Sequence, residues 1–236
     1  MKLGGYTWRV SVATVVLGNR TYRAVRPRRP AGHSPVYYHG NGCCTFARTA
    51  VDRAGAVELA AAWWLAARSP RTIVWLPLRD GPCDWSQWDQ ERPDRPLDLV
   101  MVHHSLQLPV SRWPAIRRRV PRLERPSTVR LPDRPFPCTD PWDHECYGEC
   151  RDHLTYAVAA NTLFLVGSRT AFELEAETIR AVVEDWPARR APQQGSSWMP
   201  GYAEIRAVPP WKESEPSRIG IFGCGQHLST ATGYMP

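Results

Sequence analysis

A chain of 236 residues with 43% hydrophobic and 22% charged residues can bury a sizeable core and is not expected to be disordered. No apolar run approaches the roughly 20 residues that a membrane span needs, and the segment from Met1 to Arg9 lacks the apolar centre of a signal peptide. The formal net charge of +7 favours acidic partners, although a coding preference for Arg over Lys would produce a similar excess. We therefore expect one compact domain over residues 1–236, cytoplasmic and with no membrane partner.

Alternating apolar residues predict an antiparallel hairpin over residues 9–25. Gly18-Asn19 stands between its two halves and suits a two-residue turn, because glycine accepts the positive φ that such turns require. A basic linker from Arg26 to Pro30 follows. Residues 1–30 are therefore expected at the margin of the domain.

Short apolar strands alternate with helical patterns along the rest of the chain. Predicted strands cover 35–39, 72–78, 97–103, 128–131, 162–166, 203–208 and 218–222. Predicted helices cover 45–68, 111–119, 141–160 and 170–186. This order predicts an α/β fold with a mixed, partly parallel sheet, flanking helices and an N-terminal antiparallel hairpin.

Polar residues follow several of the predicted strands, at the ends where α/β folds bind ligands. Two tryptophans in the loop over residues 81–96 could line the same pocket. The candidate ligand-binding residues are His39, Gly40, Asn41, Gly42, Cys43, Thr45, Ser105, Ser168, Arg169, Trp85 and Trp88.

Cys44 is the first candidate nucleophile, because the expected helix from Thr45 would place its thiol at a helix N-terminus. The helix dipole favours the thiolate there, and His103 or His104 could act as the base. Cys224 and His227 form a second candidate pair. These residues predict a thiol-dependent transferase or hydrolase whose small-molecule or peptide substrate is anionic or acyl-bearing. The alternative is that the cysteines only fill the core.

A second cysteine group suggests zinc. Cys146, Cys150 and His153 are spaced i, i+4 and i+7 on the helix predicted over 141–160, so they share one face. Cys138 and His144 lie nearby in the sequence, and thiolate with imidazole is a zinc ligand set. A zinc site on this face would make the chain a metal-stabilised interaction protein; the alternative is a cysteine-bearing core face.

Arginine-rich segments support a third hypothesis, a protein that binds nucleic acid or acts on RNA. They lie around residues 26–29 and 112–130, and phosphate neutralisation by them would make binding depend strongly on salt. The sequence contains no GxxxxGK[ST], HExxH, GxSxG or GxGxxG pattern. P-loop, zincin, serine-hydrolase and dinucleotide-binding chemistry are therefore disfavoured.

Overall fold

The computed structural model describes residues 3–31, 35–41, 44–79, 96–136, 153–184, 203–207 and 217–223. The strands in these ranges are β1 (Thr7–Leu17), β2 (Arg20–Pro27), β3 (Val36–Asn41), β4 (Cys44–Val51), β5 (Thr72–Leu76), β6 (Pro96–His103), β7 (Arg125–Arg130), β8 (Thr155–Ala159), β9 (Thr162–Gly167), β10 (Ala203–Ala207) and β11 (Ser217–Gly223). The α-helices are α1 (Arg53–Arg68), α2 (Trp113–Leu123), α3 (Arg169–Leu174) and α4 (Ala176–Glu184).

The described strands form one mixed sheet, which confirms the predicted α/β class. Its first part has the order β7-β1-β2-β5-β6-β9-β8, and the start of β6 pairs with β3 to continue the sheet through β4, β11 and β10. The pairs β2–β5, β6–β9 and β4–β11 are parallel, and the others are antiparallel.

The N-terminal hairpin forms as predicted. β1 and β2 pair in the register Leu17↔Arg20, and Gly18 in the turn has a φ of 61°. A residue with a Cβ would be strained at this φ, which explains the glycine.

The two faces of the long strand β1 are buried by different helices. α1 covers the first half of one face, and α2 covers the second half of the other face. Trp8 and Val10 pack in the cluster that contains α1, whereas Ala13 and Val15 pack on the opposite face with α2. Val16, beyond the reach of α1, is 59% exposed. The ribbon of β1 and β2 therefore has two uncovered corners, one on each face of the sheet.

The helix predicted from Thr45 is wrong in its first part, because Cys44–Val51 is strand β4. α1 starts at Arg53, where the Asp52 side chain caps it by accepting a hydrogen bond from the Gly55 N–H at 2.7 Å. Pairing with β3 and β11 on its two sides gives the preceding segment a strand conformation. Cys44 therefore does not lie at a helix N-terminus.

α2 packs one face against the sheet and exposes Arg118, Arg119 and Arg122 on the other. Trp113, Ile116 and Val120 are fully buried, and Trp113 meets Trp75 edge to face with ring centroids 5.4 Å apart. Its indole N–H donates to the Thr162 hydroxyl at 3.0 Å, which satisfies the buried polar group.

The helix predicted over 141–160 is wrong at its C-terminal end. Thr155–Ala159 is strand β8, which pairs antiparallel with β9 through a turn at Ala160 and Asn161. Both turn residues have positive φ, 50° and 57°, which suits a tight hairpin. His153 is exposed and precedes β8, so the helical face proposed for zinc does not extend through this region. No described helix is long and apolar enough to cross a membrane.

Candidate functional site

The two predicted base histidines lie in a turn at the end of β6. Nδ1 of His103 accepts a hydrogen bond from the Ser105 N–H at 3.2 Å and lies 2.8 Å from the Ser105 Oγ. The rings of His103 and His104 are 4.6 Å apart. Burial lowers the pKa of His103, and the neighbouring His104 lowers it further. The local geometry therefore favours a neutral His103 that acts as an acceptor.

Two of the predicted strand-end loops lie side by side. β6 and β9 are parallel neighbours, and His103 is paired with Gly167. The loop with Ser105 is therefore adjacent to the segment with Ser168 and Arg169. Ser168 caps α3 by accepting a hydrogen bond from the Ala171 N–H at 3.0 Å, and Arg169 pairs with Glu173 at 2.9 Å. Both predicted ligand-binding residues thus have structural partners.

The backbone of Cys44 lies at the opposite end of the strands from His103 and His104. Asn41 of β3 pairs with Cys44, and Tyr37 of β3 pairs with Pro96, the first residue of β6. His103 is the last residue of β6, so the separation along the strands is roughly 36 Å at about 3.3 Å per residue. The register gives no support to a Cys44–His103 or Cys44–His104 pair, and the role of Cys44 as a nucleophile stays a prediction.

Most of the other predicted site residues cannot be placed in this fold. His39, Gly40, Asn41 and Thr45 lie on the backbone of the β3–β4 hairpin. Outside the described residues are Gly42, Cys43, Trp85, Trp88, Cys138, His144, Cys146, Cys150, Cys224 and His227. The described part of the chain contains no group of three or more His, Cys, Asp or Glu side chains that could hold a metal ion.

A buried carboxylate binds two arginines on the α2 side of the sheet. Asp98 is 1% exposed, and its Oδ2 lies 3.1 Å from Arg79 Nε and 3.7 Å from Arg117 Nη1. The Arg79 backbone N–H donates to Asp98 Oδ1 at 3.1 Å. Arg117 also donates to the Ala160 carbonyl at 2.9 Å. These arginines are therefore engaged in holding the fold.

Other described carboxylates are engaged in the same way. Glu124 makes two 2.8 Å hydrogen bonds to Arg26, and Glu173 lies 2.7 Å from Arg68. Glu177 pairs with Arg180 on the surface of α4. Because these acidic side chains are committed within the fold, the arginines that remain carry its excess positive charge.

Four exposed arginines surround a cleft of about 630 Å³ where β1 begins and α1 starts. Within the described residues none of the four has an ion-pair partner. The four are Arg9, Arg28, Arg29 and Arg53. We call this the arginine cleft; its remaining lining residues are Tyr6, Thr7, Trp8, Ala31, Ala54, Val57 and Glu58.

A carboxylate fixes the wall of the arginine cleft. Glu58 is 4% exposed and accepts hydrogen bonds from the Trp8 indole N–H and the Ala31 N–H, both at 3.3 Å. Burial raises the pKa of Tyr6, and the Glu58 carboxylate raises it further. The phenol is therefore neutral at ordinary pH and does not repel an anion.

Further exposed arginines lie on the α2 side of the sheet. We define the basic face by Arg118, Arg122 and Arg130 together with Arg9 and Arg28 of the cleft. None of the five has an ion-pair partner in the described part of the chain. The arginines of residues 26–29 and 112–130 were visible in the sequence, whereas Arg9 and Arg53 join them only through the packing of β1 and α1.

Comparison with known proteins gave no matching family model, no similar curated protein and no similar solved structure.

Proposed function

We propose that this protein binds nucleic acid, with the phosphate backbone running along the basic face. The observation that supports this proposal is the distribution of charge. Arginines such as Arg26 and Arg117 have carboxylate partners inside the fold, whereas those of the basic face have none among the described residues. An anionic polymer would supply the missing partners.

Strand pairing brings two of these arginines together. The Arg28 N–H donates to the Arg9 carbonyl at 3.1 Å, which extends the β1–β2 register by one residue. On the other side of β1, Thr128 pairs with Arg9 and Arg130 pairs with Thr7. Like charges directly opposite in an antiparallel pair destabilise a sheet, so an anion held between them would offset a cost that the free protein carries.

Arginine is also the side chain best suited to phosphate. Its planar guanidinium presents N–H donors that match two phosphate oxygens at once. Contacts of this kind position a nucleic acid without reading its sequence, and each one releases condensed counterions. We therefore expect affinity that falls steeply with salt and depends little on sequence.

The experiment measures binding at a series of salt concentrations. Fluorescence anisotropy of labelled single-stranded RNA and DNA of mixed sequence is the readout. For the double variant Arg9→Glu/Arg28→Glu we expect a loss of affinity of about 10- to 100-fold at low salt. The slope of log K against log salt should become shallower by roughly 0.7 for each lost phosphate contact on a single strand. Circular dichroism would check that both proteins are folded.

The matched control is Arg20→Glu/Arg71→Glu, which changes the net charge equally. Arg20 is the first residue of β2, and Arg71 directly precedes β5. Both are exposed and lie at the end of these strands that is away from Arg28. Equal losses in the two double variants would show that net charge, and not the basic face, drives binding. Wild-type binding that is absent, or indifferent to salt, would overturn the proposal.

A further inference from the structure

We infer that the arginine cleft accepts one unstacked base of a single strand, so that the proposed nucleic-acid ligand is single-stranded. This inference rests on the function proposed above and names its substrate class. The cleft adjoins the basic face, because Arg9 and Arg28 belong to both. A phosphate backbone that follows the basic face would therefore pass the mouth of the cleft.

The wall of the cleft offers the aromatic and aliphatic contacts that a base needs. Tyr6 is partly buried, and Trp8 and Val57 lie beneath it in the core. The hydrogen bond from Trp8 to Glu58 holds the indole in place. Because the wall is already rigid, little conformational entropy is lost when a flat ring packs against it. Aromatic surfaces accept every base because each base has a π-face.

The rim of the cleft supplies charge on the side where the sugar-phosphate would lie. Arg29 lies in the segment that leaves β2, and Arg53 is the first residue of α1. The Asp52 carboxylate caps the first turn of α1 through the Gly55 N–H, so the positive charge on this side comes from the arginines and not from the helix terminus. A neutral ligand would leave this charge unmatched.

The size of the cleft separates single strands from duplexes. A volume of about 630 Å³ lies within the usual range for a small-molecule site and suits one nucleotide. Bases inside a duplex are covered on both faces by their neighbours and cannot reach such a wall without being flipped out. Unstacked bases of a single strand meet it directly.

The test compares a 12-nucleotide single strand with the duplex of the same sequence, in RNA and in DNA, at one salt concentration. We expect the single strand to bind at least about fivefold more tightly, since stacking one base contributes about that much or more. A single 2-aminopurine in the strand reports on the environment of one base. Its fluorescence should change on binding only when the probe base is unpaired.

Tyr6 is the side chain of the wall that can be changed with the least disturbance. Tyr6→Ala should weaken single-strand binding by about tenfold and leave duplex binding unchanged, whereas Tyr6→Phe should keep most of the preference because the ring remains. If Tyr6→Ala does not fold, Arg53→Glu tests the rim of the cleft with an exposed residue. It should likewise reduce binding of the single strand more than that of the duplex.

The outcomes separate this inference from the proposed function. Equal affinity for single strand and duplex, both lost in Arg9→Glu/Arg28→Glu, would overturn the inference and leave nucleic-acid binding intact. Failure of both nucleic acids to bind would remove the proposed function itself. An unchanged preference in Tyr6→Ala or Arg53→Glu would also overturn the inference, because the selectivity would then arise elsewhere.

Discussion

Two clefts of the same volume, about 630 Å³ each, lie at the two ends of α1, but their arginines differ in what they bind. In the second cleft Arg23 donates to the Thr72 hydroxyl at 3.4 Å, and Arg68 pairs with Glu173 at 2.7 Å. Arg68 also stacks over Trp64, 5.4 Å from the ring centroid. In the arginine cleft no described carboxylate pairs with the four arginines.

This difference shows that the number of arginines alone does not mark a binding surface. A guanidinium that already has a carboxylate and a ring against it would have to give up those contacts to bind phosphate, whereas an arginine in water gives up only hydration. The pairing of each arginine therefore decides whether it serves the fold or is available to a ligand. Two substitutions test that division, and a third prediction concerns the turn beside the second cleft.

The largest expected effect follows from breaking the most buried pairing. Asp98→Ala would remove the carboxylate that faces Arg79 and Arg117 and would leave both guanidinium groups without it. Loss of one partner from a buried ion pair costs about 3–5 kcal/mol. We expect the free energy of unfolding, measured with urea, to fall by that amount.

The control for Asp98→Ala is Arg122→Ala, an exposed arginine of the basic face. Surface substitutions away from special features change stability by less than about 0.5 kcal/mol. Similar stability losses in the two variants would contradict the division between arginines that serve the fold and those that are free.

A smaller effect is expected from releasing the arginine of the second cleft. In Glu173→Gln, Arg68 and Arg169 both lose the carboxylate that they share. Since these groups are only partly buried, we expect a stability loss of about 1 kcal/mol. Burial lowers the pKa of Arg68, Glu173 raises it and Arg169 lowers it, so the substitution leaves the burial uncompensated.

Glu173→Gln also tests the difference between the two clefts directly, because it leaves Arg68 of the second cleft without its carboxylate partner. Nucleic-acid affinity should rise by less than about threefold, since Arg71 would be the one further unpaired arginine among the described residues of the second cleft and surface ion pairs contribute little. Anisotropy at low salt measures this, with Glu177→Gln on the exposed surface of α4 as the control. A tenfold gain would mean that one released arginine is enough to make a site.

Elements with strong local signals could be predicted from the sequence. The hairpin follows from Gly18-Asn19 and from the alternating strand residues, and β5, β6 and β9 follow from short apolar runs. β4 was missed because Cys44–Val51 contains helix-forming residues, and its strand state depends on pairing with Ser217–Gly223 far along the chain. Pairing of such distant segments leaves no periodicity that a local pattern can detect.

The candidate site was likewise predictable only in part. Runs of arginine indicated basic segments, but the sequence did not tell which guanidinium groups find carboxylates. Arg117 and Arg118 are adjacent in the chain, yet one points to buried Asp98 and the other to water. The sequence also could not reveal that Arg53 and Arg28 line one cleft, because α1 must first pack over the start of β1.

The smallest expected effect concerns the turn beside the second cleft. Ser105 Oγ donates to the Pro70 carbonyl at 3.3 Å, and Pro70 lines that cleft. The Ser105 N–H bond to His103 Nδ1 exists only while His103 is neutral, because a protonated Nδ1 cannot accept. Protonation of His103 should therefore break the hydrogen bond from the Ser105 N–H.

The lowered pKa of His103 fixes the sign of the pH dependence. The unfolded chain takes up its proton at about pH 6.5, above the pKa of the folded form, so the stabilisation is present above that pH and is lost as pH falls through the folded pKa. We expect the NMR titration of the His103 ring to have its midpoint below 6.5. His103→Asn keeps an acceptor for the Ser105 N–H and should melt with a weaker dependence on pH between 5 and 7. His104→Asn should raise the midpoint only in part, since burial is the larger cause; a wild-type midpoint at or above 6.5 would show that the turn does not hold His103 neutral.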